Sequence, residues 1–441
     1  MAALVIFAAV AVPWGIYATR QHVNGLLILL ALIEAATASW WVATAGGNIG
    51  AIIRYPLILL FCLPVSLAVW RSGILQQGGF RDYSIYLLWA LLSAIYSLLP
   101  ALTAQRVVAT FLPFIAICAV AERIKSGEDA RRAMGVFFAA CGFVVAINTI
   151  ALVAAPGEIS WHPDPETGML RFSGIFTEPN QIGSLTLATF GAGFAWWPLA
   201  RGWQRTLTAL VIGAAILIAV LADSRSPLLG IAFGGALYVM WRWRLRGIFG
   251  VVALMILFYA AVAVIPGTHD YLNRGDVGSF TGRQTAWDFA IRSIKERPLF
   301  GYGYEVEGQI LQSQYFSGWD DLWSEGAKSS LHNGFLSRAV SMGIPALVFW
   351  LFITVRPMLS VFRRDQDPWD LKSLALLCIL PVLVLNFTES VGDFRSFPGI
   401  EICFAWALLE RERLFTRTDR VEREQQAQES QSPLFRALRT G

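Results

Sequence analysis

The sequence predicts an all-α fold, a polytopic transmembrane helical bundle of 12–13 spans, on three observations. Apolar residues make up 56% of the chain and charged residues only 15%, with a mean hydropathy of +0.54; soluble domains run near ~25% charged. The apolar residues fall in runs close to the ~20 residues a helix needs to cross a bilayer. Basic residues gather in alternate loops between those runs, the pattern that orients spanning helices. A soluble fold of 441 residues could not hide so much apolar surface, whereas lipid solvates it.

In chain order the spans are expected near 2–19, 25–44, 52–70, 83–99, 106–121, 133–155, 181–200, 205–222, 227–241, 247–265, 333–355, 371–388 and 398–410. The first has no basic leader and no small-residue cleavage site, so it reads as a retained span. One set of alternate loops carries Arg71 and Arg81, then Arg123, Lys125, Arg131 and Arg132, then Arg201 and Arg205. It continues with Arg242, Arg244 and Arg246, then Arg356, Arg363 and Arg364, and ends in a tail with Arg411, Arg413, Arg417, Arg420 and Arg423. The other set holds Arg54, Arg106, Arg171 and Arg225. The richer set is therefore cytoplasmic, and the loops 156–180 and 266–331 face outward. Tryptophans such as Trp40, Trp70, Trp197 and Trp243 mark span ends as an interfacial belt. The organisation expected is a transmembrane bundle over 1–265, a large outer loop over 266–331, further spans over 332–410 and a cytoplasmic tail over 411–441. That tail is rich in Gln and Glu and reads as a solvated end.

Composition narrows the chemistry. The five cysteines (Cys62, Cys118, Cys141, Cys378, Cys403) lie inside apolar runs and form no CxxC, so they read as packing residues. A net charge of +4 with no basic patch interleaved with aromatics gives nucleic-acid binding no support.

Candidate functional residues sit at outward-facing span ends. In the large loop, Thr281 and Gln284 have capping-box spacing, so a helix is expected over 281–296 with Trp287, Ile291 and Ile294 on one face. Pro298 and Gly301 end it. Arg283 then lies in a first helical turn, where unpaired N–H groups and the helix dipole favour an anion such as phosphate. Pairing with Asp276 or Asp288 is the bland alternative. Arg225, in Asp223-Ser224-Arg225-Ser226-Pro227, precedes another outward helix start, with Ser226 and Pro227 as cap and first residue. It either has a job or simply pairs with Asp223. His332 opens the returning span; a helix start disfavours the imidazolium, so the ring would accept a proton as a general base does, unless it is merely an interfacial histidine. Glu178 and Asn180 begin a span and would line a sugar site or cap that helix. His162, Asp164, Glu166 and the Asp320-Asp321 pair lack strong metal-ligand spacing, and no metal is expected. Glu34 is a mid-span carboxylate and a candidate by that position.

These residues lie in motifs that resemble a known superfamily. Gly282-Arg283, Trp287 and then Pro298-Leu299-Phe300-Gly301-Tyr302-Gly303 resemble the GR…W…PxxGxG run of the O-antigen ligase and polysaccharide polymerase superfamily. His332-Asn333 with Leu336 and Met342-Gly343-Ile344 is similar to its HNxxL…G run, and Ser224-Arg225-Ser226 to its SR[GST] motif. Gly174-Ile175-Phe176 with Pro179-Asn180 and Gly183 resembles its GxF…PN…G run. The resemblance spans roughly 90–410, in order.

The resemblance implies a GT-C-like glycosyltransferase at the periplasmic face of the bacterial inner membrane. Its donor would be a glycan on undecaprenyl diphosphate and its acceptor a hydroxyl of a glycan or of lipid A–core. Transfer would be inverting, with no cofactor and no metal. Residues matching Arg225 and Arg283 would hold the diphosphate, and His332 would be the base or an orienting group for the acceptor. Glu178, Asn180 and Asn333 are possible sugar or acceptor contacts. The run Asn386-Phe387-Thr388-Glu389-Ser390 is similar to one of exopolysaccharide polymerases, which tilts the expectation from O-antigen ligase toward polymerase.

The rival class is a flippase or transporter of a lipid-linked glycan. Glu34 suits it, but no internal repeat is visible and the charged candidates cluster at one surface rather than at the midplane.

Overall fold

The computed structural model describes residues 24–39, 49–154, 160–163, 170–243, 283–315, 331–362, 371–391 and 396–431. Among these the chain is helical almost throughout, with one short antiparallel ribbon of β1 (Trp161–Pro163) and β2 (Leu170–Phe172). The protein is thus the all-α membrane protein that the hydropathy demands, because in hydrocarbon a helix satisfies its backbone groups within itself. The expected spans near 2–19 and 247–265 lie outside the described residues.

The first eight helices are α1 (Gly25–Thr37), α2 (Ile49–Ser72), α3 (Gly78–Leu92), α4 (Pro100–Arg123), α5 (Gly127–Ala154), α6 (Pro179–Trp196), α7 (Trp203–Leu221) and α8 (Arg225–Trp243). Then follow α9 (Arg283–Glu296), α10 (Glu307–Tyr315), α11 (Gly334–Met342), α12 (Ile344–Phe362), α13 (Lys372–Leu385, with a π turn at Ala375–Ile379) and α14 (Phe397–Gln431). Among the described residues α4, α5 and α7 are long and apolar enough to cross a membrane. Gly25–Thr37, Ile344–Leu359 and Lys372–Leu385 are apolar but shorter. One large core of buried aliphatic and aromatic side chains joins the bundle helices, including Phe61, Phe114, Phe137 and Phe404.

Helix ends alternate between two faces. At one end α14 meets α3, where Glu410 Oε1 accepts the Gly79 N–H at 2.7 Å, and Arg356 Nη1 reaches Asp82 Oδ2 at 2.7 Å. Arg411 donates to Glu122 O at the end of α4. Arg71, Arg123, Arg356 and Arg411 all come from the arginine-rich set of loops. At the opposite end, Thr177 N donates to Ala38 O after α1, Ile175 N to Asn148 Oδ1 in α5, and Leu98 N to Tyr302 O. Glu34 is no isolated carboxylate: Arg54 Nη2 lies 2.8 Å from its Oε2, so a buried charge has its counter-charge across α1 and α2.

Three expectations are corrected. The single span near 333–355 is two helices, α11 and α12, broken at Gly343. Gly343 has φ +84°, and a Cβ there would lie 2.3 Å from Leu299 O. Ile344 N donates to Pro298 O, so the 298–303 segment is seated in the break. Second, the buried face of α9 carries Ala286, Phe289, Ala290 and Ser293, while Ile291 is exposed. The helix is rolled from the expected face because two alanines permit close approach to α11, and Trp287 sits at the edge with its Nε1–H on Leu331 O at 3.0 Å. With Tyr302, Val306, Ile310, Leu331 and Val340 this face forms a second, smaller core. The Thr281 cap lies outside the described residues. Third, the helix of the expected last span does not stop near 410: α14 continues to Gln431, as its Glu, Arg and Gln content allows.

Gly343→Ala should lower the thermal midpoint of detergent-purified protein, since a non-glycine residue at this φ costs about 1–3 kcal/mol and the methyl also meets Leu299 backbone. Gly213→Ala, where a Cβ meets nothing within 4 Å, should leave the midpoint unchanged or raise it. Equal midpoints for the two variants would contradict the seat.

Candidate functional site

The site assembles where the chain enters α11. Residues 332–334 form a strap laid against the turn at 386–390. Gly334 N donates to Asn386 O at 2.8 Å and to Glu389 O at 3.1 Å. Asn333 N donates to Ser390 Oγ at 3.2 Å, and its Nδ2 to Phe387 O at 3.2 Å. Asn333 Oδ1 caps α11, accepting from Phe335 N at 3.1 Å and Leu336 N at 3.0 Å. Its amide is thereby committed to holding the strap together. A Cβ on Gly334 would lie 1.8 Å from Asn386 Oδ1, so only glycine lets the two segments approach this closely.

That strap presents His332. Its backbone has φ +46°, a left-handed conformation uncommon for a residue with a side chain. Its Nδ1 lies 3.1 Å from Glu389 Oε2, and the ring is partly exposed. A carboxylate on Nδ1 favours the tautomer with the proton there, which makes Nε2 the proton acceptor. In the sequence Glu389 stands out only as part of the 386–390 run. The signal that could have marked it is a carboxylate just past a span end on the same face as His332.

Glu178 joins this pair. It occupies the cap position of α6, yet its side chain makes no capping hydrogen bond. The residue is exposed by area, with protein atoms of the strap and the 386–390 turn around its carboxyl. Desolvation pushes its pKa above the ordinary carboxylate range; His332 draws it down and the neighbouring Glu389 pushes it up.

The same start of α6 borders the turn that carries Arg225. A Cβ at Gly183 would lie 2.0 Å from Ser224 Oγ and 2.7 Å from Pro227, so the glycine lets α6 touch that turn. Arg171, from β2, ties the two: it donates to Ala222 O at 3.0 Å, Asp223 O at 3.3 Å and Asn180 Oδ1 at 3.2 Å. Sequence reading placed Arg171 only as an outer-loop charge; nothing local announces its bridging role. Arg225 is the first residue of α8, one residue earlier than the expected cap, and Asp223 holds its guanidinium side-on at 3.1 and 3.4 Å.

Arg283 is the first residue of α9, and Trp287, one turn on, bonds to Leu331 beside His332. The helix start is therefore anchored next to the strap; the side chain of Arg283 lies outside what is described. His162 is in β1, and Asp164, Glu166, Asp320 and Asp321 are outside the described residues.

Residues 186–351 match the family model for O-antigen ligase. This match supports the O-antigen ligase superfamily for the chain. The O-antigen ligase match contains Arg225, Arg283 and His332, whereas Glu178, Asn180 and Glu389 lie outside it and join the site only through the fold. No curated protein matches the chain.

Replacing Glu389 by Gln should lower the pKa of Glu178 toward the ordinary carboxylate value by removing a like charge, and His332→Gln should raise it further by removing an opposite one. Infrared titration of the carboxyl band, with Glu178→Gln as the subtraction, reads both. Shifts of the same sign in the two variants would refute this electrostatic arrangement.

Proposed function

We propose that this protein is a glycosyltransferase that moves a glycan from undecaprenyl diphosphate to an acceptor hydroxyl at the outer face of the bacterial inner membrane. The observation that carries the reading is the His332–Glu389 contact, 3.1 Å between Nδ1 and Oε2, beside a carboxyl and two helix starts that carry arginines. The O-antigen ligase match supports it from the sequence side.

In this mechanism the acceptor hydroxyl attacks the anomeric carbon of the donor sugar. The new C–O bond forms as the bond to the diphosphate oxygen breaks on the opposite face, inverting the centre. His332 Nε2 takes the hydroxyl proton, and Glu389 on Nδ1 holds the tautomer and stabilises the imidazolium that results. The departing diphosphate keeps the bond's electron pair, and Arg225 and Arg283 neutralise the charge that builds on it. Asp223 orients Arg225 for this task by fixing its Nε edge. Glu178 and Asn180 are placed to contact the sugar hydroxyls, and Asn333 serves by positioning His332. A diphosphate leaves readily, so the demand is for alignment and charge stabilisation.

The run at 386–390 inclines the reading toward chain polymerisation, with transfer to lipid A–core as the alternative. Purified protein would be given a lipid-linked glycan with EDTA present. Either lipid A–core or a second molecule of the lipid-linked glycan would be offered as acceptor. Longer lipid-linked chains are expected; modified lipid A–core would make it a ligase. His332→Ala should lower turnover on the order of 10²–10⁴-fold, and Arg283→Ala should also lower it severely. No product with either acceptor, while the protein still moved the lipid across the bilayer, would overturn the transferase reading in favour of a flippase.

A further inference from the structure

The turn at 298–302 belongs to the polar loop expected on the outer face, yet it displays its largest apolar side chains. Leu299 and Phe300 are both 59% exposed. Their backbone is fixed: Ile344 N bonds to Pro298 O, Tyr302 N to Val340 O and Leu98 N to Tyr302 O. The turn is thereby wedged between the outer end of α3 and the start of α12, two helices that pack together. Phe300 lies edge-on to Tyr96 with ring centroids 5.8 Å apart.

Both flanking helices carry outward apolar stripes that lead to this turn. On α3 and just beyond it the stripe is Ile85, Leu88, Leu92 and Ile95, the last 82% exposed. On α12 it is Ile344, Val348 and Phe352. Spacings of three and four residues put each set on a single helix face. In a membrane protein such faces meet acyl chains, and Leu299 with Phe300 continues them at the outer end. At the foot of the turn Arg297 lies over the Tyr302 ring at 4.6 Å, and the Tyr302 hydroxyl donates to Glu296 at 2.6 Å.

We propose that this turn is a membrane-seated wedge, with Leu299 and Phe300 in the acyl-chain boundary of the bilayer. The inference is independent of the reaction catalysed. It gives α9, which ends at Glu296 just before the wedge, a fixed depth against the membrane. Arg283 at the far end of that helix is then held at a set height over the headgroup layer, where a lipid-borne diphosphate lies.

Spin labels test it. The native cysteines are all buried, so cysteines placed at Leu299 or Phe300 can be labelled selectively in protein reconstituted into phosphatidylethanolamine–phosphatidylglycerol vesicles. Val348→Cys supplies the lipid reference and Lys295→Cys the aqueous one, both positions being exposed. Collisional relaxation by oxygen and by a water-soluble nickel chelate is compared. Labels at 299 and 300 are expected to favour oxygen, as at Val348. Preference for the chelate, as at Lys295, would overturn the proposal. Shielding from both agents would also overturn it, since protein would then cover the turn; so would oxygen preference lost on adding a long polyprenyl phosphate, which would mark a lipid-tail groove. Two labelled positions keep the test open if one variant folds poorly.

Discussion

The arrangement depends on a clamp of main-chain hydrogen bonds between the strap at 332–334 and the turn at 386–390. Gly334 N reaches two carbonyls of that turn, and Asn333 adds two more contacts to it while its Oδ1 caps α11. The clamp joins the end of α13 to the start of α11, segments far apart in sequence. It also holds His332 at φ +46°, a conformation of order 1–3 kcal/mol above the common ones that persists only when neighbours over-determine it.

Around the clamp the other parts are positioned by close approach. Gly183 lets α6 touch the Ser224 turn, so that Glu178 and Asn180 share a neighbourhood with Arg225. Arg171 draws the same two segments together through backbone carbonyls, an arginine used as a brace. Gly343 makes room for the 298–303 segment, and α9 docks through a core of its own. The bundle thus serves as the base, and the candidate groups gather at one end of it, on helix starts and the turns between them.

Much of this was legible in the sequence because the forces involved leave periodic or compositional traces. Apolar runs and alternating arginine-rich loops gave the helices and the way their ends pair. His332, Glu178, Asn180 and the first residues of α8 and α9 could be picked out because helix starts have sequence signals. What could not be read was tertiary. The run 333–355 is apolar enough, despite Arg338, to read as one span, and placing its break required knowing that the Pro298 segment would be seated at Gly343. The roll of α9 depended on which face α11 offered. Glu389 lies 57 residues from His332, and no local pattern joins them. Asn333 was legible as a polar residue at a helix start, but its part in holding the strap, through Phe387 O and the α11 cap, emerges only from the geometry.

The central claim is that Glu389 acts through the His332 ring. A double-mutant cycle on the transfer rate tests it most directly, comparing His332→Ala, Glu389→Gln and the two combined. If the proposed transfer holds, Glu389→Gln slows it substantially in the native protein but changes nothing further once His332 is alanine, because the carboxylate then has no ring to orient. Independent losses that multiply in the double variant would contradict it.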